Sequence, residues 1–109
     1  MKFPKEKLDT VMKTYEGKKA IQGNLVLTFR KALAEAADQP VQGRSIEDSR
    51  KMAAVVKRIW GGEGLTLSNE EAASIQKLAV HIYSPTVFDQ LFCFLEGEDG
   101  EEEDKPKDP

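Results

Sequence analysis

Apolar residues recur at helical spacing in four stretches of the chain. At about 100° per residue, Leu25, Phe29, Leu33 and Ala36 fall together, with Val26 and Ala32 on their flanks. Asn24 supplies a cap and Asp38-Gln39-Pro40 a stop, so the spacing predicts a helix over 25–37. Ser45 and Asp48 have the separation of a capping box and predict a second helix over 45–60. Met52, Ala53, Val55, Val56, Ile59 and Trp60 form its apolar face, and Gly61 is free to take a left-handed cap. Ser68-Asn69-Glu70-Glu71 is the clearest helix start, with Leu67 before it as a staple residue. It predicts a third helix over 68–83, carrying Ala72, Ile75, Leu78, Ala79, Ile82 and Tyr83 on one side. Ser84-Pro85 ends that helix and begins a fourth over 84–96, because proline suits the first helical position. Val87, Phe88, Leu91, Phe92, Phe94 and Leu95 crowd onto about 160° of its circumference, and Gly97 closes it.

The two ends of the chain lack this period. Residues 1–23 carry Lys2, Lys5, Lys7, Lys13, Lys18 and Lys19. Val11, Lys13 and Tyr15 alternate with Met12 and Thr14, and Glu16-Gly17 can turn the chain. Two readings stand: a short β-hairpin over 10–22, or a lysine-rich arm that packs in part. Residues 97–109 form an acidic tail without an apolar side chain, which predicts disorder. The expected fold is thus mainly α, a small four-helix domain over 24–96 between a lysine-rich arm or hairpin and an acidic tail.

Charge changes the picture more than composition does. The chain has 109 residues, 16 basic and 19 acidic, for a net charge of −3. Residues 96–109 hold 2 of the bases and 8 of the acids. The tail is therefore −6, and the 14 bases and 11 acids of residues 1–95 make a body of +3. No apolar run approaches the roughly 20 residues of a membrane span, and MKFPKEKL lacks the apolar stretch of a signal peptide. One cysteine allows no internal disulfide. These features predict a cytoplasmic protein without membrane association. One His and one Cys predict no metal site, and nothing in the pattern asks for a cofactor.

The densest candidate chemistry lies on the second helix. Arg50, Lys51, Lys57 and Arg58 share the side opposite its apolar face, and Arg44 extends the patch into the preceding loop. Such a stripe fits a solvated helix face, an acidic protein surface, the chain's own tail or a phosphate backbone. The fourth helix offers Phe88, Phe92 and Phe94 as an apolar interface for a partner or for self-association, if they are not all core. His81 lies with Ser74 and Lys77 on the polar side of the third helix, and Cys93 near Asp89 and Thr86 off the apolar arc of the fourth. Each faces away from its own helix's core side, which argues against a Cys–His nucleophile pair. Gly61-Gly62-Glu63-Gly64 lacks the Gly-Lys-Ser/Thr ending of a phosphate loop. A helix-turn-helix would place Glu70, Ser74, Lys77 and His81 outward, whereas the basic face belongs to the helix before. No catalytic residues are assigned, and the expected role is non-enzymatic binding or regulation through a protein partner, with nucleic acid as the alternative ligand.

The run LTLSNEEAASIQKLAVHIYSPTVFDQLFCFLEG, preceded by a basic helix, resembles a class of small bacteriophage and prophage proteins. These share a Leu-Thr-x-x-Glu-like cap, an amphipathic helix, a break, and a short apolar helix closing on Leu-Glu-Gly. Glu16-Gly17-Lys18 before Leu25–Ala34 is similar to their amino-terminal half, so the likeness spans about residues 15–97. The long acidic tail exceeds the pattern. The class mostly lacks assigned functions and transfers no functional residues. It implies a phage accessory protein that acts by binding in the host cytoplasm.

Overall fold

The computed structural model describes residues 2–97. The tail residues from Glu98 onward, for which disorder is expected, lie outside the described residues. Over half of the described residues are helical, in the order β1 (Lys2–Phe3), α1 (Lys5–Leu8), β2 (Ile21–Gln22), β3 (Leu25–Val26), α2 (Phe29–Ala37), α3 (Ile46–Gly61), β4 (Leu65–Thr66), α4 (Asn69–Ala79) and α5 (Pro85–Glu96).

Helix α2 lies at the centre, with α3 and α4 both packed against it. Its small residues Ala32, Ala36 and Ala37 are buried beside Phe29 and Leu33, which lets the neighbouring helices approach closely. Around it gathers one core, including Val55 and Ile59 of α3, Ile75 and Ala79 of α4, and Leu91, Phe94 and Leu95 of α5. Phe94 is sandwiched between Phe3 (4.9 Å between ring centroids) and Phe29 (4.4 Å). The α5 helix is capped by Ser84, has Pro85 in its first turn, and ends on Gly97 at φ +78°.

The amino-terminal residues belong to the same core through Phe3, Leu8, Met12 and Ala20. Of the two readings, hairpin pairing holds. Thr14 N–H donates to Lys18 O at 2.8 Å, and Gly17 turns the chain at φ +82°. Three segments then meet in a closed ring of backbone bonds. Met12 N–H donates to Leu27 O, Leu27 N–H to Ala20 O, and Ala20 N–H to Met12 O, each at 2.9 Å.

This pairing corrects the first helix. It begins at Phe29, not Leu25, because Leu25 and Val26 pair with Gln22 and Ile21 around a turn at Gly23-Asn24. The cap is Thr28, whose hydroxyl accepts from Lys31 N–H, and Asn24 caps nothing. The third helix is shorter than its period suggests. Ser68 and Glu71 form the expected capping box, but α4 ends at Ala79. His81 N–H and Ile82 N–H donate three residues back, to Leu78 O and Ala79 O, and the chain turns. That turn brings the Tyr83 hydroxyl to Ala32 O (3.2 Å) and Glu35 Oε1 (3.1 Å) on α2. Burial and then the Glu35 carboxylate push the Tyr83 phenol well above its usual range.

The end of α3 departs from expectation in a third way. Gly61 stays helical and Gly62 follows in extended conformation. Gly62 is needed for space: a Cβ there would lie 2.7 Å from Gly64 O and 3.1 Å from Arg58 O. The carbonyls at this end are taken by Arg30 of α2, which donates from Nη1 to Ile59 O (2.7 Å) and Gly62 O (2.6 Å) and from Nη2 to Glu63 O (3.2 Å). A cation at a helix C-terminus also opposes the local negative end of the helix dipole.

Candidate functional site

Both α3 and α4 lie on α2 without closing on each other, and a groove of about 540 Å³ runs between them. Its α3 side carries Arg44, Asp48, Lys51, Met52, Val55 and Arg58, and its α4 side carries Ser68, Glu70, Glu71 and Ser74. Arg44 and Ser74 also border an adjoining recess of about 480 Å³. That recess has an apolar wall of Pro40, Val41, Leu78 and Ile82, with Lys77 and His81 at its rim.

Of the five basic residues singled out from sequence, Arg44, Lys51 and Arg58 line the groove, whereas Arg50 and Lys57 do not. Arg58 is committed: it donates to Glu71 Oε2 at 2.5 Å and to Thr66 O at 3.1 Å. Lys51 lies 3.7 Å from Glu47 one turn away. Arg44 donates to Gln39 O at 3.3 Å and stands where groove and recess join. Arg50 and Lys57 make no ion pair among the described residues. The stripe that looks almost wholly basic on a helical wheel is thus partly neutralised by Glu47 on the same helix and by Glu71 of α4, which the wheel does not contain.

The phenylalanines separate. Phe94 is 1% exposed and belongs to the core, so it offers no interface. Phe88 is half-buried against the core, and Phe92 is 37% exposed, their rings 6.0 Å apart. Trp60, expected on the apolar face of α3, is instead exposed, because α2 covers only one stripe of that helix. His81 borders the recess beyond the end of α4, whereas Cys93 lies half-buried on α5 and does not line it. Among the described residues no three His, Cys, Asp or Glu side chains are grouped to hold a metal ion. None of the described helices is long and apolar enough to cross a membrane.

Sequence reasoning missed the recess. Its one local signal is Val41, an aliphatic residue in the otherwise polar loop 38–44; Ile82 falls on the core face of the longer helix that the period predicts. Arg30 and Asp9 were also missed, since nothing in either local pattern shows that they meet, with Arg30 Nε donating to Asp9 Oδ1 at 2.9 Å.

Two carboxylates are expected to make the fold acid-sensitive. Hydrogen bonds from Arg30 and then Lys5 hold the Asp9 carboxyl below its ordinary value. Partial burial pushes Glu71 upward, but the Ser68 backbone N–H and Arg58 outweigh it, leaving Glu71 lowered too. A group whose folded value is depressed stabilises the fold above the unfolded carboxylate range, about pH 4, and that contribution is lost as pH falls through the folded value. The urea midpoint is therefore expected to change little between about pH 7 and 5 and to drop below about pH 4. Glu71→Gln should lower the midpoint at neutral pH and flatten the acid drop. An unchanged acid drop in that variant would show that Glu71 is not its source.

No family model, curated protein or solved structure matches the chain.

Proposed function

We propose that this is a non-enzymatic binding protein that acts by holding a segment of a protein partner between α3 and α4. The observation that supports this most is the composition of the groove. It combines an apolar floor at Met52 and Val55 with cations and carboxylates of both signs, and continues into the aliphatic recess at Val41 and Ile82. A phosphate backbone would favour a surface of one sign, and Glu70 and Glu71 along the α4 side oppose it. Mixed charge around apolar floor is the anatomy of a protein interface. The sequence resemblance to small phage proteins supports reading the chain as a phage accessory protein that acts in the host cytoplasm. The exposed edge of Phe88 and Phe92 adds a second surface, for self-association.

Ser74 is exposed and lines both parts of the site, so Ser74→Trp should fill the groove without disturbing the core. In affinity capture from host lysate, a partner retained by the natural protein should be lost from this variant. Retention of the same partner by both would remove the groove from the proposal. The acidic tail is the natural competitor for the basic rim around Arg50, Lys51, Lys57 and Arg58, weakly so because exposed ion pairs are worth about 0–1 kcal/mol each. Deleting residues 98–109 should then strengthen capture of an acidic partner. The competing reading, nucleic acid held by the outer face of α3, draws on Arg50 and Lys57, which make no ion pair among the described residues. It would prevail if Arg50→Gln/Lys57→Gln abolished oligonucleotide binding.

A further inference from the structure

The amino-terminal lysines take no part in the groove, yet the fold sets two of them against each other. Lys13 stands directly opposite Lys19 across an antiparallel bridge, with Lys18 adjacent in the chain. Like charges opposed across paired strands repel. None of the three makes an ion pair among the described residues, and Glu16 is the one acid in residues 10–28.

Hydrogen bonds fix the backbone that carries these side chains. The Gln90 side chain of α5 grips Lys13 on both sides: its Oε1 accepts from Lys13 N–H at 2.9 Å, and its Nε2 donates to Lys13 O at 2.7 Å. At the hairpin tip the Thr14 hydroxyl accepts from Glu16 N–H (3.2 Å) and Lys18 N–H (3.3 Å). Tyr15, beside this cluster, is 83% exposed and stacks on no other ring among the described residues. Ile21 falls on the same side of its strand as Lys19, away from buried Ala20, and is 62% exposed.

We propose that the hairpin over residues 13–21 binds single-stranded nucleic acid, with Lys13 and Lys19 on its phosphates and Tyr15 stacked on a base. A polyanion relieves the repulsion between the lysines, and their fixed backbone lowers the ordering cost of binding. The bare tyrosine selects among polyanions. Every base presents a ring face to stack on it, which an acidic peptide lacks. This inference does not depend on the α3–α4 groove, and the hairpin variants below leave that groove intact.

The test uses the full-length chain, fluorescein-labelled oligothymidylate and anisotropy across a salt series. Binding should weaken as salt rises, and Lys13→Gln/Lys19→Gln should reduce the slope of log affinity against log salt by about 1.4. Tyr15→Ala should weaken binding about tenfold with the slope unchanged. Lys19→Glu should raise the melting temperature by about 2–4 °C, since it turns a repulsive cross-strand pair into an attractive one, while it weakens binding. That opposition of stability and affinity is what a purely structural role would not produce. The proposal is overturned if the protein does not bind the oligonucleotide, if binding is indifferent to the lysine or Tyr15 variants, or if it is lost only with Arg50→Gln/Lys57→Gln. Lysine-dependent binding to phosphatidylserine vesicles without oligonucleotide binding would overturn it in favour of a membrane surface.

Discussion

Phe94→Ala is expected to remove about 4 kcal/mol of stability, enough to leave the domain close to unfolding at 37 °C. The side chain is 1% exposed and lies between Phe3 and Phe29, with ring planes tilted by 19° and 12°. Truncation forfeits the transfer energy of the ring, leaves a cavity that two flanking rings cannot readily fill, and ends both stacking contacts. Phe3 belongs to β1, which pairs with β4, and Phe29 opens α2, so the damage spreads to both ends of the chain's core. Phe92, two residues away and 37% exposed, supplies the comparison: Phe92→Ala should cost under about 1 kcal/mol. Urea denaturation of the two variants measures the difference. Similar midpoints would contradict the burial pattern of α5.

Arg30→Ala is expected to cost about 3 kcal/mol, although no sequence pattern marks that residue. Its side chain is 11% exposed, and it joins Asp9, the end of α3 and the glycine loop in one fork. Without it, the carbonyls of Ile59 and Gly62 lose a charged donor in a part-buried position, and unsatisfied groups cost more than a formed bond returns. Arg30→Lys should recover little of the loss, because a single ammonium cannot reproduce the planar fork. Asp9→Asn should cost much less, as it removes only the exposed partner. Hydrogen exchange gives the spatial check: amides in the last turn of α3 and in residues 62–64 should exchange faster in Arg30→Ala. Exchange confined to the amino-terminal residues would place the role of Arg30 at Asp9 instead.

What was legible depended on how local the physics is. Ser45, Ser68 and Ser84 cap their helices as read, because a cap needs only a side-chain oxygen and an N–H three residues on. Helix ends set by distant partners were misread. Leu25 and Val26 satisfy a helical period equally well, yet they pair with Gln22 and Ile21 while Met12 and Val11 hold Leu27 and Thr28 in extended pairing. The period at Ile82 and Tyr83 continues that of α4, yet the Tyr83 hydroxyl is satisfied on α2 and the helix stops at Ala79. The basic stripe was visible as a list of residues, but its electrostatics were not, since Arg58 meets a carboxylate thirteen residues away.

By itself, then, the sequence determined a mainly helical chain, the capped starts of its last three helices, the apolar stripes that build the core and the separation of a basic body from an acidic tail. Each follows from side chains within a few residues of one another. Only the tertiary structure decided which apolar residues stay outside, as Trp60 and Phe92 do, and which go inside, as Phe94 does. It alone opened the groove between α3 and α4, gave Arg30 three carbonyls to hold, and set Lys13 opposite Lys19. Burial and pairing are properties of neighbours in space, and a helix covered by one partner exposes what the same helix covered by two would bury.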